Sequence, residues 1–309
     1  NTLSACVNSD RNTAIGYNAL LALTGTDGNT SNTAVGANAG LSATTADNSV
    51  YVGTYAGDAL TVGTNNTAIG ANALSAEVEG ASNTALGKGA LQYANAGGST
   101  GSSVATYNTA VGDSAGLYVS TGKHNTFVGG HSGLGNASSD VLTGDNNTCI
   151  GSMSGYELSS GANNNALLGK SAGSLISTGT YNTAVGANAG GTLTTGTNNT
   201  YIVQNTHASA SGVTYEIVIG AGVDTSNTFT GGGTDTVRIG KAAEYMTGDL
   251  TSNTWAHGSD IRIKKDIINN ELGLGFINEL RTVNYKKKAP SEYPKEFEGY
   301  NANETERNN

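Results

Sequence analysis

Small apolar and polar residues alternate over short stretches of this chain, and the alternation recurs at a regular interval. A stretch such as Asn-Thr-Ala-Ile-Gly places Thr13 and Ile15 on one face of a strand and Ala14 and Gly16 on the other. Successive glycines that end these stretches are 20, 17, 17, 17, 25, 17, 22, 18 and 17 residues apart. The pattern predicts a 17-residue unit with insertions. The aligned glycines are Gly16, Gly36, Gly53, Gly70, Gly87, Gly112, Gly129, Gly151, Gly169 and Gly186.

The repeat weakens after Gly186. One unit further on, Val203 stands where glycine is expected. Two later stretches, Glu-Ile-Val-Ile-Gly ending at Gly220 and Thr-Val-Arg-Ile-Gly ending at Gly240, are predicted to be degenerate closing repeats. Residues 243–258 contain turn residues and are predicted to be an irregular connection.

A unit of this length is too short for a domain and too long for a single strand. We therefore predict one coil of a parallel β-solenoid per unit, with a strand, a turn and a short return strand. Coils stacked about 4.8 Å apart give roughly a dozen turns and a rod about 55–60 Å long. Because such a coil is thin, lateral association of several chains is expected to cover the Ala/Gly face. The Asn that begins each unit is expected to tolerate left-handed backbone and to form side-chain ladders between coils.

Composition and charge exclude several other classes of protein. Gly is abundant (45), Pro scarce (2) and charged residues few (13%), without the three-residue period of collagen or the composition of disordered chains. Residues 1–259 hold only 6 of the 15 Lys and Arg, so no nucleic-acid groove is expected. No stretch has the length and apolarity of a membrane span or signal peptide, and without an initiator Met the chain looks like part of something longer. Cys149 replaces a repeat Ala and is expected to be buried, far in sequence from Cys6.

The repeat stretches Asn-Thr-Ala-Ile-Gly-Ala-Asn-Ala-Leu and Asn-Thr-Ala-Val-Gly-Ala-Asn-Ala-Gly resemble the head repeats of YadA-like trimeric adhesins over about residues 12–205. The unit here is slightly longer than in that family. The resemblance implies left-handed, β-roll-like coils and a homotrimer.

The insertions are candidate contact loops, because insertions in solenoids form surface loops and often bind partners. The two largest lie within residues 93–106 and 133–146, and a tolerated flexible loop is the favoured interpretation of each. Asp140 and Asp145 lack the spacing of a calcium loop, so neither a metal nor a cofactor is expected. Exposed tyrosines such as Tyr107 and Tyr181 could stack on sugars, although half-buried packing is the more common role of such a residue.

The C-terminal segment differs from the repeats. Residues 269–283 carry Leu272, Phe276, Ile277, Leu280 and Val283 at helical spacing, which predicts a small α+β segment. Residues 259–267, Ser-Asp-Ile-Arg-Ile-Lys-Lys-Asp-Ile, together with this helix and Val-Asn-Tyr-Lys at 283–286, resemble the intramolecular chaperone domain (peptidase S74) of phage endosialidases and tail fibres. That domain is longer than the segment here, so only its N-terminal part is expected.

The resemblance implies self-cleavage between Ser259 and Asp260, with Ser259 and Lys264 as a catalytic dyad. A Lys can act as base for a Ser hydroxyl when burial lowers its pKa toward neutrality. Attack of Ser259 on its own carbonyl would need a strained four-membered ring. The hydroxyl therefore attacks another chain's peptide bond, activates a water, or has a role beyond a simple dyad.

The sequence thus predicts an all-β, trimeric fibre with solenoid repeats over 1–205, closing repeats and a connection over 206–258, and a chaperone segment over 259–309. The expected function is attachment of an extracellular virion tail fibre or spike to a host glycan or protein receptor, without membrane insertion or nucleic-acid binding. A trimeric autotransporter adhesin is the alternative, and it should end in a membrane anchor. An endosialidase-like hydrolase would need a catalytic domain upstream.

Overall fold

The computed structural model describes residues 11–24, 30–95, 102–136, 141–222, 228–242, 244–252 and the backbone of 255–257. Within these ranges the chain is all-β, without a helix, and forms a parallel β-solenoid. The predicted fold class is therefore confirmed for the repeats. Two units divide the chain, Asn1–Gly258 and Ser259–Asn309, and every described residue belongs to the first. The predicted helix at 269–283 lies outside the described residues.

Most coils contribute one three-residue strand to a 15-stranded sheet. The strands are β1 Thr13–Ile15, β2 Thr33–Val35, β3 Val50–Val52, β4 Thr67–Ile69, β5 Gly80–Ala81, β6 Thr84–Leu86, β7 Val104–Ala105, β8 Thr109–Val111, β9 Thr126–Val128, β10 Thr148–Ile150, β11 Ala166–Leu168, β12 Thr183–Val185, β13 Thr200–Ile202, β14 Thr206–His207, β15 Ile217–Ala221, β16 Phe229–Thr230, β17 Thr236–Lys241, β18 Glu244–Asp249 and β19 Trp255–His257. The short pairs β5–β7 and β14–β16 form separate two-stranded sheets.

The register of the main sheet follows the glycine alignment. Thr13 pairs with Thr33, and each later strand of this sheet up to β17 pairs in parallel with its counterpart one coil on. The longest step, 25 residues from Thr84 to Thr109, and the 22-residue step from Thr126 to Thr148 keep the same register. Insertions therefore lengthen a coil without shifting the strands, as the spacing predicts.

The interior is narrow and is filled by the middle residue of each strand and by the turn that follows. Ala34, Ala68 and Ala110 have no exposed surface. Leu74, four residues after its strand glycine, is also fully buried. Cys149 occupies an Ala position and is buried and free, as predicted.

Larger residues at the Ala position are accommodated by glycine in the turn. Tyr51 is fully buried between Gly40 and Gly57. These two glycines take the turn position that leucine holds in other coils, such as Leu74. A Cβ at Gly40 would lie 2.8 Å from the Tyr51 ring. Phe127 is flanked in the same way by Gly116 and Gly133. Volume is thus conserved across neighbouring coils, as close packing requires.

The asparagines that begin the units form the predicted ladder. The Asn165 Oδ1 accepts hydrogen bonds from the backbone N–H (3.0 Å) and the Nδ2 (3.1 Å) of Asn182. Asn182 also donates to the Gly196 carbonyl across its own coil at 2.9 Å. The left-handed backbone expected of these asparagines belongs instead to the residue before most of them, for example Asn198 with a φ of 58°. The ladder asparagine itself continues into the strand, and the sharp corner precedes it.

The end of the solenoid corrects one prediction. Strands β15 and β17 pair in parallel with the stack, which confirms the two closing repeats. Residues 243–258, expected to form an irregular connection, instead contain β18 and β19, which pair antiparallel to β17 and to each other. Tyr245 of β18 packs against Phe229, with ring centroids 5.9 Å apart. The antiparallel strands cover the edge that β17 would otherwise expose.

Candidate functional site

The first and third residues of the strands point away from the solenoid interior and form two parallel columns on the main sheet. One column consists mostly of threonines. The other, which we call the outward aliphatic column, consists of Ile15, Val35, Val52, Ile69, Leu86, Val111, Val128, Ile150, Leu168, Val185, Ile202, Ile219 and Ile239. None of these side chains is buried, and Ile15 is 60% exposed, Leu86 43% and Ile150 41%.

This arrangement corrects the prediction about which face other chains would cover. Lateral association was predicted on the Ala/Gly face, but that face is the interior of a single chain, and Ala184 and its equivalents have no exposed surface. The larger aliphatic side chains face outward because the thin interior has room only for alanine opposite a turn leucine. The strand face that this chain leaves exposed is therefore the aliphatic one.

The two columns carry no charge along most of the stack. No residue of β1 to β13 is charged. At about 4.8 Å between coils and about 7 Å between the columns, the stripe measures roughly 400 Å². This size is within the range of about 300–600 Å² for the largest exposed patch of a typical monomer, and such patches are often functional.

The residues predicted for self-cleavage, Ser259, Asp260 and Lys264, lie outside the described residues. So does Asp140, whereas Asp145 has a structural role in its turn. Its Oδ1 accepts the Lys123 backbone N–H at 2.7 Å, and its own N–H donates to Asn163 Oδ1 at 2.7 Å. No group of His, Cys, Asp or Glu side chains suited to a metal occurs among the described residues.

The tyrosines that precede the ladder asparagines are exposed at a corner of the coils. Tyr107 is 52% and Tyr181 60% exposed, and both have left-handed backbone. Tyr107 stacks on His124 of the next coil, with ring centroids 5.1 Å apart. Tyr107 is therefore half-buried by packing on the next coil, while the rest of its surface, like most of that of Tyr181, is open to solvent.

A buried carboxylate near the end of the stack was not predicted from the sequence. Glu216 takes the place of the ladder asparagine one unit after Asn199 and is fully buried. It accepts hydrogen bonds from the Tyr201 hydroxyl (2.9 Å), the Ser209 N–H (3.1 Å) and the Gly233 N–H (2.8 Å). The departure from Asn in the repeat was the available signal. Glu216 joins the last regular coil to the segments that close the solenoid.

We expect Tyr201→Phe to lower the free energy of unfolding by about 2 kcal/mol, because hydrogen bonds to charged groups contribute about 1.5–3 kcal/mol. Burial, with the Glu216 carboxylate adding to it, raises the pKa of Tyr201 above its usual value. The phenol of the unfolded chain ionises near pH 10, so stability falls as pH rises beyond that value. Urea unfolding at pH 7 and at pH 10.5 measures both effects, and Tyr201→Phe should show the shallower pH dependence.

Tyr215→Phe is the matched control, because Tyr215 is 53% exposed. It should unfold like the wild type at both pH values. Equal losses for Tyr201→Phe and Tyr215→Phe would show that the bond to Glu216 contributes nothing.

Comparison of this chain with known proteins finds no relative. No family model, curated protein or solved structure matches this chain. Within the described residues, no helix has the length and apolarity needed to cross a membrane. Two features of the chain therefore bear on its function: the outward face of the sheet and the sequence after residue 258.

Proposed function

We propose that this chain is the shaft of a trimeric viral tail fibre or spike, an extracellular part of the virion that attaches to a receptor on the host cell surface. The observation that carries the proposal is the outward aliphatic column, which extends from β1 to β17 on a face that is uncharged through β13. Two further copies of the same chain are the occupants that fit this face. Identical coils stacked at identical intervals match each other along their full length, which a partner of different period would not do.

The sequence after the solenoid favours a fibre over a cell-surface autotransporter adhesin. The stretch from Ser259 to Ile267 resembles the start of the chaperone domain that releases itself from phage fibres. In this proposal three chains assemble while their C-terminal segments are attached, and the peptide bond between Ser259 and Asp260 is then cut. Ser259 supplies the hydroxyl and Lys264 the base if the hydroxyl attacks another chain's peptide bond or activates a water.

Native and intact mass measurements on the purified chain test the proposal. We expect an assembly of three times the 31.0 kDa chain mass, less the three segments that follow Ser259 where cleavage has occurred. Ser259→Ala and Lys264→Ala should form the same trimer without the cut. Lys265→Ala is the matched control for Lys264→Ala and should be cut like the wild type.

The outcomes separate the two parts of the proposal. An uncut trimer in the wild type contradicts self-cleavage alone. A monomeric wild type at micromolar concentration contradicts the fibre.

A further inference from the structure

A small cavity opens at the surface near the end of the regular coils, where the repeat changes. Its volume is about 270 Å³, close to the lower end of the range of about 300–1,000 Å³ for small-molecule sites. A cavity of this size has room for a single compact ligand. The lining residues are Ser174, Leu175, Asn188, Gly191, Asn205 and His207.

The cavity exists because Gly191 has no side chain. The equivalent position is Leu117 or Leu134 in earlier coils and Ser174 in the coil before. A Cβ on Gly191 would lie 2.9 Å from His207 Nε2. The backbone of Gly191 is not left-handed, so its conformation would accept any residue. A side chain here would fill the opening and would also lie 3.1 Å from the Asn188 carbonyl oxygen.

The backbone is strained in the coil that follows the coil of Gly191. Val203, which replaces the repeat glycine, has a φ of 90°. Positive φ in a β-branched residue costs on the order of 1–3 kcal/mol. Val203 directly precedes the segment that carries Asn205 and His207. This segment keeps its place in the stack, because the Asn205 N–H donates to the Ala187 carbonyl at 2.9 Å and the Gly190 N–H donates to the Thr206 carbonyl at 2.7 Å. It also forms β14, which pairs with β16 on its other side.

One polar group at the cavity has an unmet hydrogen bond. Asn205 is only 1% exposed, and its Oδ1 accepts a hydrogen bond from Asn188 Nδ2 at 3.1 Å. Its Nδ2 is buried and has no hydrogen-bond partner. An unpaired buried amide destabilises a protein by about 1–3 kcal/mol, and a rotation of the Asn205 side chain that brings Nδ2 to an acceptor oxygen of a ligand would offset that penalty.

The remaining groups are neutral. Burial lowers the pKa of His207, so its imidazole is uncharged at neutral pH and offers one donor and one acceptor nitrogen. Ser174 adds a hydroxyl, and Leu175, 39% exposed, adds an apolar wall. No lining residue is charged, so the cavity has no cation for a phosphate or carboxylate and no anion for an amine.

We propose that this cavity binds one neutral pyranose unit, a hexose or an N-acetylhexosamine, of a surface glycan. Sugar hydroxyls both donate and accept hydrogen bonds, which matches Ser174, Asn205 and His207, and the C–H face of the ring packs on Leu175. This inference rests on the proposed attachment function and names its ligand class.

Saturation-transfer NMR on the whole chain tests the proposal with methyl glycosides of glucose, galactose, N-acetylglucosamine and N-acetylgalactosamine. We expect at least one to bind with a Kd of about 10 mM or tighter. Gly191→Ala, which narrows the cavity, should weaken binding at least tenfold, and Ser174→Ala, which removes one hydroxyl, at least threefold. Gly130→Ala is the matched control, because a Cβ there would meet nothing within 4 Å, and it should bind like the wild type.

Three results would overturn the proposal. They are the absence of binding by all four glycosides, unchanged binding in both Gly191→Ala and Ser174→Ala, and stronger binding of methyl sialoside or inorganic phosphate than of any neutral sugar. Native mass of the same samples keeps the two proposals distinguishable. A trimer that binds no sugar contradicts only this inference, and a monomer that binds sugar contradicts only the trimeric fibre.

Discussion

Gly129→Ala is expected to lower the free energy of unfolding by about 3–5 kcal/mol, the largest effect of any methyl addition proposed for this chain. Gly129 has a φ of 129°, a conformation that side chains rarely adopt. A Cβ there would lie 2.7 Å from the Gly151 carbonyl carbon and 2.9 Å from the Ser152 nitrogen, both backbone atoms of the next coil. The strain and the clash act together, and coils can relieve them only by separating. Chemical denaturation followed by circular dichroism measures the loss.

The neighbouring residue provides the control. Gly130 has no positive φ, and a methyl group added there would meet no atom within 4 Å, so Gly130→Ala should leave stability within about 0.5 kcal/mol of the wild type. If Gly129→Ala and Gly130→Ala had the same free energy of unfolding, close approach of the backbones would not explain why each unit has a glycine.

Asn182→Ala is expected to cost about 3 kcal/mol or more, because it breaks the ladder on both sides. The Asn182 carboxamide donates to Asn165 Oδ1 and to the Gly196 carbonyl. It also accepts the backbone N–H of Asn199 at 3.1 Å and the Nδ2 of Asn199 at 3.0 Å. Alanine leaves these buried groups without partners, at about 1–3 kcal/mol for each one that cannot be satisfied elsewhere. Thermal and urea unfolding both report the change.

Asn198→Ala makes the same chemical change in the adjacent, exposed column. Asn198 has left-handed backbone, so alanine should cost only about 1 kcal/mol from local strain. A loss at Asn182 no greater than the loss at Asn198 would contradict a structural role for the ladder.

The sequence predicted the parts of the fold that depend on spacing. The interval between glycines fixes which strands pair, because identical residues stack only in one register. The same interval predicted the Asn ladder, since a side-chain amide at each coil lies within hydrogen-bond reach of the next. Both features are local and repeat at every coil.

The assignment of the two strand faces needed more than alternation. The two-residue period places Ala184 and Val185 on opposite faces of the strand but does not say which face is interior. Hydrophobicity alone favours the larger residue, Val185, for the interior. The deciding signal was the turn: leucine follows an inward Ala in some coils, whereas glycine flanks an inward Tyr51 or Phe127. That compensation is visible only when one coil is compared with the next.

The candidate sites were the least predictable features. Glu216 could be noticed as a substitution in the ladder, but its three donors come from separate segments that the repeat does not define. The cavity beside His207 depends on the absence of a side chain at Gly191, where earlier coils carry leucine or serine. Neither follows from a short pattern.

Cysteine cross-linking tests the central claim most directly, namely that copies of this chain associate in parallel and in register through the outward aliphatic column. In a chain with Cys6→Ser and Cys149→Ala, we would compare Val185→Cys, on the column, with Thr195→Cys, exposed on the return half of the same coil. Disulfides require Cα atoms about 4.4–6.8 Å apart, which like residues can reach only at a shared interface. We expect mild oxidation to give covalent dimers of Val185→Cys and none of Thr195→Cys. Equal cross-linking at both positions, or cross-linking at Thr195→Cys alone, would contradict the account.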